Sequence, residues 1–298
     1  KRNLEITSTM RENKRKGSLL WVLDDTKTSM GARTLKAWLD KPLLSCASIQ
    51  KRLNAVEELV KNTIVRNELR EELSNIQDIE RLLGKVVTGS ANCRDLQALG
   101  NSFRPLPNIL KHLSGFDSSL INELKDEINP LDELTSLLER AIIDNPPVTI
   151  KEGGIIRDGF DEHVDMYRKA MVEGKQWIAS IEQKERESTG IKNLKIGYNK
   201  VFGYYIEISK SNIPNAPDTY IRKQTLANCE RYITGELKEI ENKILGAEER
   251  ICQLEYSIFC DVRERVASAN LSIQKTAKAI AALDALCSLA EVAVKNNY

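Results

Sequence analysis

Two long helical stretches of similar length flank a short segment of strand character, and this arrangement limits the possible folds most strongly. The first stretch runs from about Asp161 to Ser188 and the second from about Gly235 to Ala267. Both carry apolar residues at the heptad spacing of paired helices. Each apolar stripe covers about 20 residues, or roughly 30 Å at 1.5 Å per residue. Matched stripes around an insert predict an antiparallel helix pair that carries a small module at its tip.

The stripe residues are Val164, Tyr167, Met171, Ile178 and Ile181 in the first helix, and Leu237, Ile240, Ile244, Ala247, Ile251, Leu254 and Ile258 in the second. Gly174 interrupts the first stripe. The second stripe is continuous. The pattern therefore indicates two helices that face each other along most of their length.

The insert between them, residues 190–232, has the period-two pattern of a half-buried strand. Phe202, Tyr204, Ile206 and Ile208 alternate with Gly203, Tyr205, Glu207 and Ser209. A hairpin turn is predicted at Asn199-Lys200, after a first extended run from Leu194 to Tyr198. Tyr220 to Lys223 is predicted as a third strand. We therefore predict a small α/β module.

The rest of the chain has the periodicity of short amphipathic helices. Helices are predicted from Ser29 to Leu39, from Ile49 onward, from Ile76 to Val86, and from Ile273 to Ala293. Residues 144–159 contain two prolines and three glycines, which predicts a connector with short extended pieces. Asp161 is the predicted N-cap of the first long helix.

The basic charge of the chain is concentrated in the insert. The whole chain has 44 basic and 43 acidic residues, for a net charge of +1. Residues 190–231 carry a net charge of +4, from Lys192, Lys195, Lys200, Lys210, Arg222, Lys223 and Arg231 against Glu207, Asp218 and Glu230. Such a tip suits contact with a phosphate backbone. A solvated basic surface without a ligand is the alternative.

The insert is also rich in aromatic residues. It holds six of the sixteen in the chain, Tyr198, Phe202, Tyr204, Tyr205, Tyr220 and Tyr232. Aromatic side chains can stack on single-stranded bases, but a small sheet also needs large side chains for its core. The alternation favours the core role, so contact with a duplex backbone is expected rather than base stacking.

Other chemistry finds little support. The six cysteines include no Cys-x-x-Cys pair, and His112 and His163 lie on separate predicted helices, so neither a zinc site nor a nucleophilic triad is predicted. Free cysteines of this kind suit a reducing cytoplasm. No apolar stretch approaches the roughly 18 residues of a membrane span.

Several motifs resemble the MutS family of DNA mismatch-repair proteins. Residues 189–208, TGIKNLKIGYNKVFGYYIEI, and residues 220–232, YIRKQTLANCERY, are similar to the clamp segment of the bacterial family members. Residues 2–5, 17–20, 28–33, 42–44, 79–82 and 146–154 resemble successive parts of the family's helical core. The resemblance covers essentially the whole chain.

The resemblance implies a helical core, a long lever, and a clamp that closes over duplex DNA through non-specific phosphate contacts. It implies Asn199, Lys200, Arg222, Lys223 and Asn228 as DNA-binding residues. Lys192 and Lys195 rank below them, because their side chains can face away from the DNA. In the family the lever relays nucleotide state from a C-terminal ATPase domain to the clamp. A second MutS subunit and a MutL-type repair protein are the implied protein partners.

Two family motifs are absent from the chain. It contains no Gly-x-x-x-x-Gly-Lys-[Ser/Thr] loop for nucleotide phosphates and no N-terminal Phe-x-Glu mismatch wedge. The chain itself is therefore expected not to hydrolyse ATP, with ATP and Mg²⁺ bound elsewhere in the parent protein. Since the sequence begins without Met, we expect a piece of a longer protein.

These observations predict a mainly α fold. A helical core domain with long antiparallel lever helices carries a small α/β clamp domain inserted at the lever tip. The predicted domains are 1–184 for the core and first lever helix, 185–234 for the clamp, and 235–298 for the returning lever helix and a core helix. A coiled-coil scaffold that assembles proteins without binding DNA is the alternative function.

Overall fold

The structure is a computed structural model that describes residues 2–147, 149–199, 201 and 203–298. Its α-helices and β-strands, in chain order, are α1 (Leu19–Leu23), α2 (Ser29–Asp40), α3 (Cys46–Lys61), α4 (Thr63–Ser74), α5 (Ile79–Val87), α6 (Cys93–Phe103), α7 (Leu106–Leu113), α8 (Ser119–Glu127), α9 (Asp132–Ala141), α10 (Glu162–Thr189), β1 (Lys195–Asn199), β2 (Gly203–Ser209), β3 (Ile221–Thr225), β4 (Cys229–Ile233), α11 (Gly235–Ser268) and α12 (Asn270–Asn296). Short 3-10 turns occur at Arg2–Leu4, Ile150–Glu152 and Lys210–Asn215. The chain is mainly α, as predicted.

The chain divides into two compact units. One, here called the helical unit, combines Lys1–Ile150 with Phe259–Tyr298. The other, here called the sheet unit, is the continuous segment Lys151–Ile258. The helix α11 contributes to both, because its residues up to Ile258 belong to the sheet unit and the following ones to the helical unit.

The helical unit is built around α12, which contacts α1, α2, α3, α4, α5 and α8. Its residues are mostly small or branched, and Ala277, Ile280, Leu283 and Leu286 are fully buried. Because neighbours surround it, α12 is apolar on several sides rather than along one stripe. It therefore forms the centre of the core.

Side-chain caps explain where several helices begin and end. Thr28, Asp78 and Asp161 each accept a backbone N–H from the first turn of the following helix. The N-cap role predicted for Asp161 is thus confirmed. At the other end of α10, Gly190 has φ +70°, a left-handed conformation that glycine adopts without steric cost and that commonly ends a helix.

The sheet unit contains the predicted antiparallel pair of long helices. Lys184 of α10 pairs with Glu236 of α11 at 3.1 Å. Earlier in α10, Arg168 pairs with Glu255, which lies later in α11, so the two helices are antiparallel. At Gly174 the two helices approach so closely that an added Cβ would lie 2.6 Å from Cγ1 of Ile244. The interruption in the first stripe is therefore a point of tight packing between the two helices.

The insert folds into a four-stranded antiparallel sheet with strand order β1-β2-β4-β3. The predicted hairpin and third strand are present, but β4 was not predicted. Pairing shifts between Arg222 and Gln224, which marks a bulge in β3. Of the extended pieces predicted at 144–159, Ile156 forms an isolated β-bridge, whereas Ile150 begins the 3-10 turn Ile150–Glu152 instead.

One face of this sheet packs against the long helices. Its core joins Ile206, Ile208 and Tyr232 to apolar residues of both helices, including Ile181 and Leu237. Among the described helices, none is long and apolar enough to cross a membrane.

Candidate nucleic-acid interface

The side of the sheet opposite this core, here called the outer face, is polar. Successive strand residues point to opposite sides of a sheet. Glu207 and Arg231 follow and precede the buried Ile206 and Tyr232, so they lie on the outer face, together with their cross-strand partners Lys195 and Gln224. The register lines these four up in one cross-strand row, one from each strand. The outer face therefore carries alternating charge across its width.

Tyr205 lies flat on this face. An added Cβ at Gly197, its cross-strand partner, would lie 2.7 Å from the tyrosine ring, so the glycine leaves room for it. The guanidinium of Arg231 lies 4.3 Å from the centroid of the same ring, a cation–π contact. The ring and the guanidinium thus form a fixed platform on the outer face.

Two of the three acidic residues of the insert are paired with its arginines. Glu207 accepts from Nε of Arg231 at 3.1 Å, and Glu230 accepts from Nη1 of Arg222 at 3.4 Å. The hydroxyl of Tyr232 also donates to Glu230, and this bond above all lowers the pKa of the Glu230 carboxyl. Both arginines are therefore partly neutralised by the sheet itself.

The lysines behave differently. Lys192 precedes β1, Lys195 begins it, Lys210 begins the 3-10 turn after β2, and Lys223 lies at the β3 bulge. All four are exposed, and none of them forms an ion pair within the described part of the chain. The excess positive charge of the insert thus resides on solvated lysines, where it is available to a polyanion.

The predicted DNA-binding residues do not form one compact cluster. Because β1 and β3 are the two edges of the sheet, Lys195 and Lys223 are separated by three strand spacings, about 14 Å at 4.8 Å each. Asn228 is exposed in the turn between β3 and β4, and its carbonyl accepts the backbone N–H of Lys210 at 3.1 Å. Asn228 and Lys210 therefore lie side by side.

Asn199 lies at the opposite end of the sheet from Asn228, since β1 ends where β2 begins. Its Oδ1 accepts the N–H of Val201 at 2.8 Å, so its side chain closes the β1–β2 turn. Tyr198 and Val201, here called the hairpin tip, are 50% and 79% exposed. Lys200, a predicted site residue in the turn, and Phe202 lie outside the described residues.

The aromatic residues mostly serve the sheet rather than an exposed stacking surface. Tyr220 and Tyr232 are buried, and the hydroxyl of Tyr220 donates to Glu185 of α10 at 2.6 Å. Burial, with Glu230 beside the hydroxyl, raises the pKa of Tyr232 to about 12. Burial also raises the pKa of the half-buried Tyr204. The core role predicted from alternation is confirmed for Tyr220 and Tyr232, whereas Tyr198 is exposed.

Three residues that position the hairpin escaped sequence reasoning. Glu182 and Glu241 accept backbone N–H groups of β1 and β2, and Gly203 begins β2 with φ +77°. Each glutamate has the ordinary sequence environment of an amphipathic helix. Gly203, three residues after the predicted hairpin turn, was the available sequence signal.

The described residues contain no group of three or more His, Cys, Asp or Glu side chains arranged to hold a metal ion. Nδ1 of His112 lies 3.3 Å from a carboxylate oxygen of Glu68, a surface contact between neighbouring helices. His163 is exposed in the first turn of α10.

The family model of MutS domain III matches residues 1–290. The chain is 56% identical over 298 residues to a DNA mismatch repair protein MutS from Ruminiclostridium cellulolyticum, covering 100% of the chain and 34% of that relative. It is 55% identical to one from Acetivibrio thermocellus, with the same coverage, and 52% identical to one from Clostridium botulinum strain Langeland, of which it covers 32%. The chain spans about a third of the length of these relatives.

Proposed function

Because the chain belongs to the MutS domain III family, we propose that its sheet unit holds duplex DNA through non-specific contacts with the phosphate backbone. The relatives bear the name DNA mismatch repair protein, so this contact would serve mismatch repair. Its chemistry requires only positive side chains and polar groups that can reach phosphate oxygens, and no base-specific contact.

The observation that carries the proposal is the set of exposed lysines without ion-pair partners. The strand register places Glu230 next to Arg222 and Glu207 next to Arg231, so both glutamates pair with arginines and not with lysines. Each lysine that meets a phosphate releases condensed counterions, which adds about 0.9 to the slope of log affinity against log salt. The four lysines therefore supply most of the expected electrostatic affinity.

Fluorescence anisotropy with a labelled duplex tests this directly. The parent chain is expected to bind with a Kd of roughly 10⁻⁴–10⁻⁶ M at physiological salt. Changing Lys192, Lys195, Lys210 and Lys223 together to Gln should reduce the salt slope by about two to four. Matched and mismatched duplexes should lose affinity equally, because no base is read.

A matched control removes the same charge from the helical unit. Lys36, Lys111, Lys275 and Lys278 are also exposed, and their joint change to Gln should lower affinity much less. Equal losses in both variants would show that only net charge matters. Absent or salt-insensitive binding by the parent would overturn the proposal and favour the coiled-coil scaffold.

The polar candidates are expected to act differently from the lysines. Asn199 and Asn228 are neutral, so changing either to Ala should weaken binding without altering the salt slope. Arg222 shares its charge with Glu230, so its change to Gln should reduce the slope by less than a lysine change does. Lys200 stays a predicted contact on sequence grounds.

The wider role follows from the family and is part of the same proposal. In it, the long helices relay conformational change from an ATPase domain outside this chain, where ATP and Mg²⁺ bind. A second MutS subunit would complete the enclosure of the DNA, with a MutL-type protein as a later partner, in the cytoplasm. The chain itself is proposed to lack ATPase activity, and an assay of phosphate release on residues 1–298 tests this.

A further inference from the structure

The β1–β2 hairpin is hydrogen-bonded to both long helices through two carboxylates. On α10, Oε2 of Glu182 accepts the backbone N–H of Ile196 in β1 at 2.7 Å. On α11, Oε2 of Glu241 accepts the backbone N–H of Tyr204 in β2 at 3.1 Å. One strand of the hairpin is therefore attached to each helix.

The Glu241 contact is tightly packed. The residue is 3% exposed, and its Oε1 accepts from Nζ of Lys238 at 2.7 Å. A Cβ added at Gly203 would lie 2.2 Å from the same oxygen, and φ +77° at this glycine disfavours any other residue. Glycine at 203 thus allows the hairpin backbone to sit directly on the carboxylate.

Glu182 is held in a similar way. Its second oxygen, Oε1, lies 2.6 Å from Nη2 of Arg186, and Arg186 in turn donates through Nε to the carbonyl of Leu194 at 2.7 Å. The strand that follows Leu194 is therefore fixed at its start and at Ile196. Ion-paired carboxylates that accept backbone N–H groups make strong, directional contacts.

We propose that Glu182 and Glu241 are positioning residues, which fix the hairpin on the two helices and thereby hold Asn199 and the exposed tip where duplex DNA is contacted. This rests on the proposed function. A movement of one long helix relative to the other would pull on one strand of the hairpin more than on its neighbour. The hairpin is thus the part of the sheet whose place depends on both helices.

The direction in which DNA affinity changes when a carboxylate is removed distinguishes a positioning role from a purely electrostatic one. A carboxylate near DNA repels phosphate, so removing one should raise affinity if only electrostatics matters. Removing a positioning carboxylate should lower affinity, because the tip then samples positions that do not meet the duplex. The two explanations thus predict opposite changes.

The experiment compares Glu241→Met, Glu241→Gln and the control Glu239→Met by anisotropy with a labelled duplex. Glu239 is an exposed neighbour on α11, and its change removes the same charge. Glu241→Met should weaken binding about fivefold, the order expected when one polar contact is lost. Glu241→Gln should stay near the parent, since its side-chain oxygen can still accept the Tyr204 N–H. Glu239→Met should bind equally or more tightly.

Gly203→Ala provides an independent variant, because its methyl group would occupy the place of the carboxylate. Alone it should weaken DNA binding to a similar extent. The double variant Gly203→Ala with Glu241→Met should bind DNA no more weakly than Gly203→Ala alone, since both changes remove the same contact. Fully additive losses would contradict a shared positioning role.

Hydrogen exchange on the free protein supplies a readout that does not depend on DNA. In Glu241→Met the Tyr204 amide should exchange faster, while amides of β4 and α11 keep their protection. Unchanged exchange at Tyr204 would overturn the proposal. So would loss of protection throughout the sheet unit in both Glu241 variants, since the residue would then be required for folding rather than for position.

The two proposals fail in different ways. If the four-lysine variant binds like the parent, the phosphate contact is wrong and the positioning role falls with it. If the lysine result holds but Glu241→Met binds like Glu239→Met, only the positioning role is wrong. Glu182→Met should repeat the Glu241→Met result from the other helix, and an effect equal to the Glu239→Met control would contradict the two-helix attachment.

Discussion

Asp284 of α12 is completely buried and holds the start of α2 through Thr28. Its Oδ2 accepts the backbone N–H of Thr28 at 2.7 Å and the hydroxyl at 2.8 Å, while Oδ1 accepts the N–H of Lys27 at 2.9 Å. A Cβ added at Gly31 would lie 2.2 Å from the same Oδ2. The loop before α2 and the central helix are thereby joined by one buried carboxylate.

We predict that Asp284→Asn destabilises the helical unit by about 2–3 kcal/mol, because the amide directs a donor at groups that are themselves donors. Urea denaturation followed by circular dichroism measures this loss. Asp126→Asn, on the exposed side of α8, should change stability by less than about 0.5 kcal/mol. Similar losses in both variants would show that the Thr28 contact contributes little.

A pH-dependent prediction concerns Arg33 and Asp78, which join α2 to α5 through two hydrogen bonds of 2.7 and 2.9 Å. Arg33 lowers the pKa of the Asp78 carboxyl below its ordinary 3.8. The stabilisation is therefore fully present above pH 3.8 and is lost as the pH falls through the lowered pKa. Arg33→Met should cost about 1 kcal/mol at pH 7, since the guanidinium is half exposed.

The cost of Arg33→Met should shrink as the pH falls through the lowered pKa of Asp78, because this carboxyl then becomes protonated in both proteins. Thermal unfolding at several pH values checks this. Arg81→Met on α5, an exposed residue, is the control and should show little cost at any pH. A pH-independent difference would mean that Arg33 acts through packing of its stem.

Arg168 and Glu255 form a pair in the sheet unit with unequal burial, 25% exposed for the arginine side chain and 0% for the glutamate. Arg168→Met leaves a buried carboxylate without its counter-charge, which should cost about 3 kcal/mol. Glu255→Gln should cost only about 1 kcal/mol, because Arg168 still contacts Asp158 and the carbonyl of Ile156. Denaturation midpoints of the two variants should therefore differ, and the reverse order would contradict the burial argument.

Two glycines in the long helices should respond oppositely to alanine. At Gly174 a Cβ would lie 2.6 Å from Ile244, whereas at Gly246 nothing lies within 4 Å. Gly246→Ala should stabilise by about 0.5–1 kcal/mol through helix propensity. Gly174→Ala should destabilise by about 1–3 kcal/mol, since overpacking outweighs that gain.

Melting temperatures of the two glycine variants and of Gly174→Ala with Ile244→Ala test this reading. The double variant should lose less stability than the sum of its single changes, because shortening Ile244 makes room for the new methyl group. Additive losses would show that the two residues do not touch in solution.

The helices could be predicted because heptad and 3.6-residue spacing depend on local sequence alone. The strand β4 could not, because Glu230 interrupts its alternation with a charge on the inward side. In the structure that carboxylate is satisfied by Tyr232, Thr225 and Arg222. A buried acid becomes acceptable only through partners that the fold brings to it.

The charge of the insert could be predicted, but not which cations stay solvated. Glu207 meets Arg231 and Glu230 meets Arg222 across strands, and such pairing depends on strand register, which a one-residue shift would change completely. The hairpin anchors were missed for the same reason. Glu182 and Glu241 act on backbone N–H groups far away in sequence, and nothing in their own neighbourhood indicates this.

The division of the helical unit between Lys1–Ile150 and Phe259–Tyr298 has a consequence for synthesis. Because α12 follows both α1 to α9 and the sheet unit in sequence, α1 to α9 emerge from the ribosome before the element that buries their apolar faces. The sheet unit is continuous and can complete its own core earlier. At about 5–20 residues per second, α1 to α9 therefore remain without α12 for on the order of ten seconds.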